Sequence, residues 1–261
     1  MSRVRILSYN VHSCIGIDRV HSPERIAHVI AQQKADIVAL QEIDEGRPRS
    51  GGIAQAPVLA SMLGMKAHFN ASTQHGGESY GDAILTALPI KAIRKGRLPG
   101  FHDRIRVEPR GALWATIDVG GIDLQVVNTH LGVWPQEQML QLSTLLGHEW
   151  LGHPDCRDPV VFVGDFNAPP GLMPYRHLAE RFTDAQKAFR DRKARPTFPG
   201  RMPTLRLDHV WLRGRVTIEN VEVVRTPLAR LASDHLPVVV DLDLSAAHAE
   251  LHDRQPVVPA L

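Results

Sequence analysis

The chain has 261 residues, of which 43% are hydrophobic and 22% charged, with a formal net charge of +2 and an isoelectric point near 8.7. This composition is ordinary for a globular protein with a sizeable core, and the mild positive charge argues against a protein that coats nucleic acid through bulk charge. The two cysteines, Cys14 and Cys156, are too far apart in sequence to indicate a disulfide framework or a thiolate metal site.

The sequence shows no targeting or membrane-spanning pattern. The chain enters a strand pattern directly after its first residues, without a charged leader, an apolar stretch and a cleavage site. No apolar run approaches the roughly 20 residues that a membrane span requires. We therefore expect a cytoplasmic protein with no transmembrane segment.

The first half of the chain combines strand and helix signals. Ser22-Pro23 predicts the start of a helix, since serine is a good N-cap and proline suits the first helical position. A second helix is predicted over 56–63 and ends at Gly64. Strands are predicted, in chain order, at 4–9, 36–40, 66–69, 82–87 and 91–98.

The second half contains a hairpin and the longest helix. Gly120-Gly121 predicts the turn between strands at 110–119 and 122–128. The helix is predicted over 135–150, where apolar residues recur on one face. Further strands are predicted at 159–164, 205–212, 216–224 and 237–244.

The order of these elements predicts the fold class. Helices follow only some of the strands and hairpins connect others, whereas a regularly alternating barrel needs a helix after nearly every strand. We therefore predict an α/β (α+β) fold in which two sheets pack face to face with helices outside. No linker divides the chain, so we expect one domain over 1–245, followed by a flexible tail over 246–261.

Polar side chains end several apolar, strand-like runs. Taken singly, each has a structural explanation: Glu42 could cap a helix or pair with an arginine, Asn10 could serve a turn, and His130 could be a hydrogen-bonded structural residue. Their joint occurrence on distant strands favours one shared site. Carboxylate and amide oxygens suit Mg²⁺ or Mn²⁺, and Asp234 could complete such a set. Three runs end in Gln41-Glu42, Asn128-Thr129-His130 and Asp165-Phe166-Asn167, and a fourth apolar run begins directly after Asp234-His235.

An ordered set of short motifs covers nearly the whole predicted domain. They include Gly-Asp-Phe-Asn at 164–167 and Ser-Asp-His at 233–235, and the others lie at 8–11, 40–42, 80–85, 109–111, 128–131 and 207–210. In these motifs the chain resembles the endonuclease/exonuclease/phosphatase superfamily of deoxyribonuclease I-like, metal-dependent phosphohydrolases. It is most similar to the small bacterial hydrolases of uncertain substrate. The resemblance implies a four-layer α-β-β-α sandwich with two mixed sheets.

The resemblance also implies a role for each matching residue. Glu42 would be the principal Mg²⁺ ligand, with Mn²⁺ as an alternative ion and Asn10 and Asp234 nearby. Either Asp165 or His235 would take the proton from the attacking water. The implied catalytic residues are His235 facing the scissile phosphate, Asp208 orienting its ring, Asp165 and Asn167 positioning the water and the phosphoryl oxygens, His130 donating to a phosphoryl oxygen, and Arg110 supporting the site electrostatically.

Two positions depart from the pattern of many relatives. Asp82 stands where they carry asparagine, and this extra carboxylate could pair with His130, bind a second cation or meet an arginine; we favour structural pairing. His12 stands where abasic-site endonucleases carry an acidic residue, and those enzymes lack a histidine matching His130. The differences disfavour abasic-DNA repair and favour the branch with nucleases, inositol phosphatases and sphingomyelinases.

The leading hypothesis is a Mg²⁺-dependent phosphodiesterase or phosphomonoesterase that uses an activated water. A phosphodiesterase is favoured, with a small phosphodiester as substrate in preference to polymeric DNA. Two basic stretches, 91–110 and 187–206, are either solvated loops or a surface for an anionic substrate. Few aromatic residues are available to stack on bases, and the apolar loop residues at 132–134 and 171–173 could be core or could contact lipid. The alternatives are a nuclease, a sphingomyelinase- or inositol-phosphatase-like enzyme acting on a head group, and a catalytically silent binding module.

Overall fold

A computed structural model describes residues 2–101 and 107–247 of the protein. The strands are β1 (Arg3–Asn10), β2 (Ile37–Glu45), β3 (Lys66–His75), β4 (Glu78–Thr86), β5 (Ile90–Arg97), β6 (Gly111–Val119), β7 (Ile122–His130), β8 (Val160–Asp165), β9 (Thr183–Asp184), β10 (Asp208–Arg213), β11 (Thr217–Val223) and β12 (Val238–Asp243). The helices are α1 (Pro23–Gln33), α2 (Gln55–Leu63), α3 (Pro135–Leu146), α4 (Met173–Ala179), α5 (Ala185–Ala188) and α6 (Pro227–Ala232). None of these described helices has the length and apolarity needed to cross a membrane.

The strands form two mixed sheets of six. The first has the order β11-β12-β1-β2-β4-β3 and the second β5-β6-β7-β8-β10-β9. Each contains one parallel pair, β1 with β2 and β7 with β8, joined by α1 and α3 respectively. Parallel neighbours require such a crossover, and their carboxyl ends meet at one edge. The predicted α/β class with two mixed sheets is confirmed.

Side-chain alternation divides the buried residues into two cores. In β6, Leu113, Ala115 and Ile117 belong to the core that also takes in both faces of the first sheet with α1 and α2. Ala112 and Trp114, on the other face of the same strand, belong to a second core under α3 and α4. Because successive residues of a strand point to opposite faces, the second sheet is buried on both sides. The result is the four-layer sandwich that the resemblance implied.

Several element boundaries differ from the prediction. The long helix ends at Leu146 instead of residue 150, since Gly147 adopts an extended backbone there. The strand predicted over 205–212 starts at Asp208, because Leu205 pairs with Phe198 in a separate bridge. The short helices α4, α5 and α6 were not predicted. Of the tail predicted over 246–261, only 246 and 247 are described, and residues 102–106 of the first basic stretch also lie outside the described part.

Gly164 permits the close approach of β7 and β8 beside the strand end that carries Asp165. Its φ is +144°, and a Cβ atom built there would lie 1.8 Å from the carbonyl oxygen of Thr129. We expect Gly164→Ala to lower the free energy of unfolding by about 3 kcal/mol, because a methyl group must displace the neighbouring backbone. Urea denaturation measures this. Gly121→Ala is the control, since Gly121 also has a positive φ, +92°, but no atom within 4 Å; equal losses in the two variants would contradict this account.

Candidate active site

The carboxyl ends of the two parallel strand pairs supply the centre of the site. Asn10 ends β1 in register with Gln41 of β2. In the second sheet, His130 ends β7 in register with Asp165, the last residue of β8. The two sheets face each other, so these ends meet at one rim of the sandwich. The sequence motifs therefore converge in space.

The amide group of Asn10 joins the two sheets at this rim. Its Nδ2 donates to Glu42 Oε1 and to Asp165 Oδ2, each at 3.0 Å. Its Oδ1 accepts the backbone N–H of His12 at 3.1 Å, which fixes the orientation of the amide. In this arrangement Asn10 presents nitrogen, not oxygen, to Glu42. Asn10 thus positions two carboxylates, and its role as a metal ligand stays a prediction.

Glu42 reaches the rim through a β-bulge inside β2, not at a strand end as its sequence position suggested. The register of β2 against β4 shifts between Leu40 and Ile43. Gln41 and Glu42 consequently both lie opposite Asp82. Glu42 has a φ of +60°, an unusual value for a residue with a side chain. Bulges re-aim side chains next to active sites, and this one brings Glu42 to Asn10.

Gln41, the other residue of the bulge, locks the two sheets together beneath the site. Its Nε2 donates to Asn128 Oδ1 at 2.7 Å. Asn128 in turn donates through Nδ2 to the carbonyl oxygens of Leu40 and Ala83, at 2.9 and 3.0 Å. All of these groups are buried, so the network is shielded from water. Sequence reasoning noted both residues but missed this structural role.

His235 and Asp208 form a buried pair beside Asp165. The Nδ1 atom of His235 lies 2.9 Å from Asp208 Oδ2, and its Nε2 lies 3.6 Å from Asp165 Oδ2. The ring of Phe198 packs against the imidazole with centroids 4.8 Å apart. The orienting role implied for Asp208 is therefore consistent with the geometry, whereas the contact made by Phe198 was not predicted.

The buried charges of this trio affect one another. Burial disfavours protonation of His235, but the negative charges of Asp208 and Asp165 outweigh it and raise the pKa of His235 to about 10. Burial also raises the pKa of Asp165, an effect that the positive charge of His235 opposes. At neutral pH, His235 is thus an imidazolium: Nδ1 donates to Asp208, and Nε2 carries a second proton that faces Asp165.

His130 is held between Arg110 and Asn167. Arg110 donates to His130 Nδ1 at 3.1 Å, so this nitrogen is the acceptor. Burial and the charge of Arg110 lower the pKa of His130 well below its usual value. The neutral ring must then carry its proton on Nε2, which lies 3.4 Å from Asp165 Oδ2. Asn167 Nδ2 lies 3.1 Å from the same nitrogen and donates instead to the carbonyl oxygen of Leu131 at 3.0 Å. The ring can therefore donate toward the centre of the site.

Asp82 lies buried across from the bulge. Burial raises its pKa well above the usual value; Arg110 opposes this rise, and the negative charge of Glu42 adds to it. Its Oδ2 is buried without a hydrogen-bond partner. Within the described part of the chain, no hydrogen bond or ion pair joins Asp82 to His130 or to an arginine. The structural pairing favoured from the sequence is therefore not seen among the described residues.

Asp234 sits on the loop before β12 and is half-exposed. The neighbouring Ser233 ties this loop to the site by donating to the carbonyl oxygen of Asn10 at 2.8 Å. Ser233 Oγ lies 3.4 Å from Asp234 Oδ1, and His12 Nδ1 lies 4.0 Å from the same oxygen. Asp234 is thus near Asn10 through its loop, and its ligand role remains a prediction.

The donor set fits a hard divalent cation. Glu42 and Asp165, joined through the amide of Asn10, offer carboxylate oxygens at one rim, and such oxygens are the ligands that Mg²⁺ and Mn²⁺ prefer. Among the described residues, the ligand atoms of Asp165, Asp208 and His235 also lie within 4.8 Å of one another. Mg²⁺ and Mn²⁺ bind chiefly through oxygen, so Glu42 and Asp165 suit them better than a set that includes an imidazole.

Comparisons with known proteins agree with this geometry. Residues 7–235 match the sequence model of the Endonuclease/Exonuclease/phosphatase family. The protein YbhP of Escherichia coli K12 is 27% identical over 258 residues, covering 92% of this chain and 96% of the relative.

Solved structures share the fold at lower identity. The catalytic domain of human nocturnin, with a bound sulfate anion, has a TM-score of 0.69 at 20% identity and covers 92% of this chain and 93% of that domain. A mannosyl-6-phosphatase of Bacteroides thetaiotaomicron has a TM-score of 0.71 at 20% identity, covering 92% and 99% respectively.

Proposed function

Since this chain belongs to the Endonuclease/Exonuclease/phosphatase family, whose members hydrolyse phosphate esters, we propose that it is a divalent-metal-dependent phosphoesterase that prefers phosphodiesters. The observation that carries the proposal is the bridge made by Asn10, which holds Glu42 and Asp165 at 3.0 Å from one amide nitrogen. Two histidines point at the same oxygen of Asp165, His130 from 3.4 Å and His235 from 3.6 Å. Metal-type oxygen donors, a base and hydrogen-bond donors thus share one rim.

Asp165 is the group that we assign to the proton of the attacking water. Its raised pKa makes it a better base than an ordinary carboxylate, and its Oδ1 is held by the backbone N–H of Asn167 at 2.9 Å. His235 already carries a proton at neutral pH and cannot take another. The sequence left open which of these two residues is the general base, and these observations favour Asp165.

The remaining side chains stabilise charge on the phosphoryl group. His235 and the Nε2–H of His130 are donors held in place by Asp208 and Arg110, so they need no reorganisation as negative charge develops. A Mg²⁺ or Mn²⁺ ion bound at Glu42 would supply further charge neutralisation at the ester oxygens. The sulfate in the nocturnin structure and the phosphatase among the structural neighbours support an anionic ester as substrate.

The test is hydrolysis of bis-p-nitrophenyl phosphate and of p-nitrophenyl phosphate with Mg²⁺, with Mn²⁺ and with EDTA. We expect metal-dependent release of nitrophenolate, faster from the diester, and its loss with EDTA. Faster cleavage of the monoester would show that the protein is a phosphomonoesterase and not a phosphodiesterase. No turnover of either compound, or of a wider panel of phosphate esters, would favour the silent binding module.

Glu42→Gln is expected to raise the Mg²⁺ concentration for half-maximal activity by about 10–100-fold, because it removes a charged ligand while keeping the shape of the side chain. The measurement is a Mg²⁺ titration of diester hydrolysis together with calorimetric titration of Mn²⁺ binding. Glu45→Gln is the control, since Glu45 is exposed on the same strand. An unchanged metal response in Glu42→Gln would contradict its assignment as a ligand.

A second candidate is a hydrolase of phospholipid head groups. The apolar loop residues that the sequence left as either core or lipid-facing are exposed: Val133 by 59%, Trp134 by 52%, Leu172 by 45% and Met173 by 60%. Both loops directly follow site strands, β7 and β8. If this candidate is correct, the variant Trp134→Ser loses activity on phosphatidylcholine vesicles and keeps its activity on bis-p-nitrophenyl phosphate. A variant that keeps wild-type activity on both substrates would contradict it.

A further inference from the structure

A groove with a volume of about 880 Å³ lies between the segment that follows β8 and the segment that precedes β10. One wall is the loop that follows β8, including Pro169 and Pro170, together with α4. The other wall belongs to the loop between α5 and β10, including Arg195 and Leu205. This volume falls within the range of ligand pockets and exceeds what a single phosphate group fills.

Three exposed cations line this groove: Arg176, Lys187 and Arg195. Within the described part of the chain, none of the three has an acidic side chain at ion-pair distance. The one lining acid, Glu180, contacts Arg181 at 3.3 Å, which offsets its charge. The groove therefore carries an excess of positive charge. Two of its cations, Lys187 and Arg195, belong to the second basic stretch, so part of that stretch lines a groove.

The fourth lining cation has a structural role. Arg206 is buried and forms an ion pair with Asp184, and it also donates to the hydroxyl of Tyr175 at 3.1 Å. Removing one partner of a buried ion pair is strongly destabilising. Arg206 thus supports the floor of the groove, and its charge is already compensated. The anion-binding capacity comes from the three exposed side chains.

The chain segments that form the two walls also carry residues that contact the active site. Pro169 lies two residues after Asn167, whose side chain contacts His130. On the opposite wall, Leu205 pairs with Phe198, the residue whose ring packs against His235. These two segments therefore connect the groove to the site around His130 and His235.

We infer that the groove binds phosphate groups next to the scissile ester, so that the preferred substrate carries several phosphates. This inference rests on the proposed phosphoesterase function and narrows its substrate class. Cations that face solvent along a groove attract successive phosphates of one ligand, and each contact adds to the salt dependence of binding. A single-stranded oligonucleotide and a small inositol polyphosphate share this chemistry, and the experiment separates them.

The test measures inhibition of bis-p-nitrophenyl phosphate hydrolysis by a six-residue oligothymidylate, by inositol hexakisphosphate and by thymidine 5′-monophosphate. Wild-type protein is expected to bind at least one multi-phosphate ligand about tenfold or more tightly than the monophosphate. The double variant Lys187→Ala/Arg195→Ala should remove this preference. For the oligothymidylate, the slope of log Ki against log salt concentration should fall by about 1.4, since each lost contact to a single strand contributes about 0.7.

The matched control is Arg192→Ala/Lys193→Ala, which removes two exposed charges from the same loop at residues that do not line the groove. Its preference for multi-phosphate ligands should stay within twofold of wild type, and Lys187→Arg/Arg195→Lys should retain most of it. Tighter binding of the oligothymidylate than of the inositol ligand identifies an oligonucleotide, and the reverse identifies a small polyphosphate. Equal effects of the groove variant and the control, with diester hydrolysis intact, would overturn the groove assignment alone. Absence of diester hydrolysis in the wild type would instead overturn the proposed function.

Discussion

His235→Ala is expected to lower kcat for bis-p-nitrophenyl phosphate by about 10²–10³-fold, the effect of removing one charge-stabilising donor from a preorganised site. The imidazolium lies 3.6 Å from Asp165 Oδ2, so it reaches the place where the phosphoryl oxygens must sit. The measurement is steady-state kinetics at saturating Mg²⁺.

The same variant should also lose stability. His235 is 5% exposed and Asp208 is fully buried, so alanine leaves the Asp208 carboxylate without its partner. Breaking a buried ion pair in this way costs about 3–5 kcal/mol. Asp208→Asn and the double variant complete a mutant cycle by urea denaturation, and residues in contact should couple by about 0.5–3 kcal/mol. Additive losses would contradict the pairing, and a kcat within threefold of wild type would contradict the catalytic role.

Asp165→Asn is expected to lower kcat by about 10²–10⁴-fold, because the amide cannot accept the proton of the attacking water. Its effect separates the two candidate bases. If the base were His235 instead, kcat of Asp165→Asn at saturating Mg²⁺ would fall no further than that of Asn10→Ala, since the imidazole and its partner Asp208 remain. Stopped assays with enough enzyme to detect slow turnover measure the residual rate.

Asp165→Asn should disturb the metal site as well. Oδ2 of Asp165 accepts from the amide nitrogen of Asn10, and Oδ1 accepts from the backbone N–H of Asn167. An asparagine at 165 has one acceptor oxygen, so one of these two donors must face another N–H group. We expect a weaker Mg²⁺ response in addition to the lower kcat. Asn10→Ala is the comparison, because it removes the bridge while keeping the base; it should weaken the Mg²⁺ response with a smaller loss of kcat than Asp165→Asn.

Local signals were sufficient for much of the fold. Ser22-Pro23 predicted the start of α1, and Ser22 Oγ accepts the backbone N–H of Arg25 at 3.3 Å, as an N-cap does. Gly120-Gly121 predicted the hairpin of β6 and β7, in which both glycines have positive φ. These features depend on interactions within a few residues, so the local sequence determines them.

Boundaries that depend on distant partners were not predictable. β2 continues past Leu40 to Glu45 because β4 pairs with it on both sides of the bulge. α4 and α6 are short helices whose buried faces pack on neighbouring elements, and their own apolar patterns span too few residues to be distinctive. Tertiary contacts decide such elements.

The sequence by itself determined which residue types the protein brings to its chemistry, because the motifs around Glu42, His130, Asp165 and His235 adjoin apolar runs and occur in one recognisable order. Only the tertiary structure decided how they act. Protonation of His235, the neutral state of His130 and the bridging role of Asn10 arise from burial and from charges contributed by residues far apart in the chain. The same holds for the basic groove, whose walls come from two separate loops. Electrostatic interactions act through space, and a linear pattern does not contain the distances that set them.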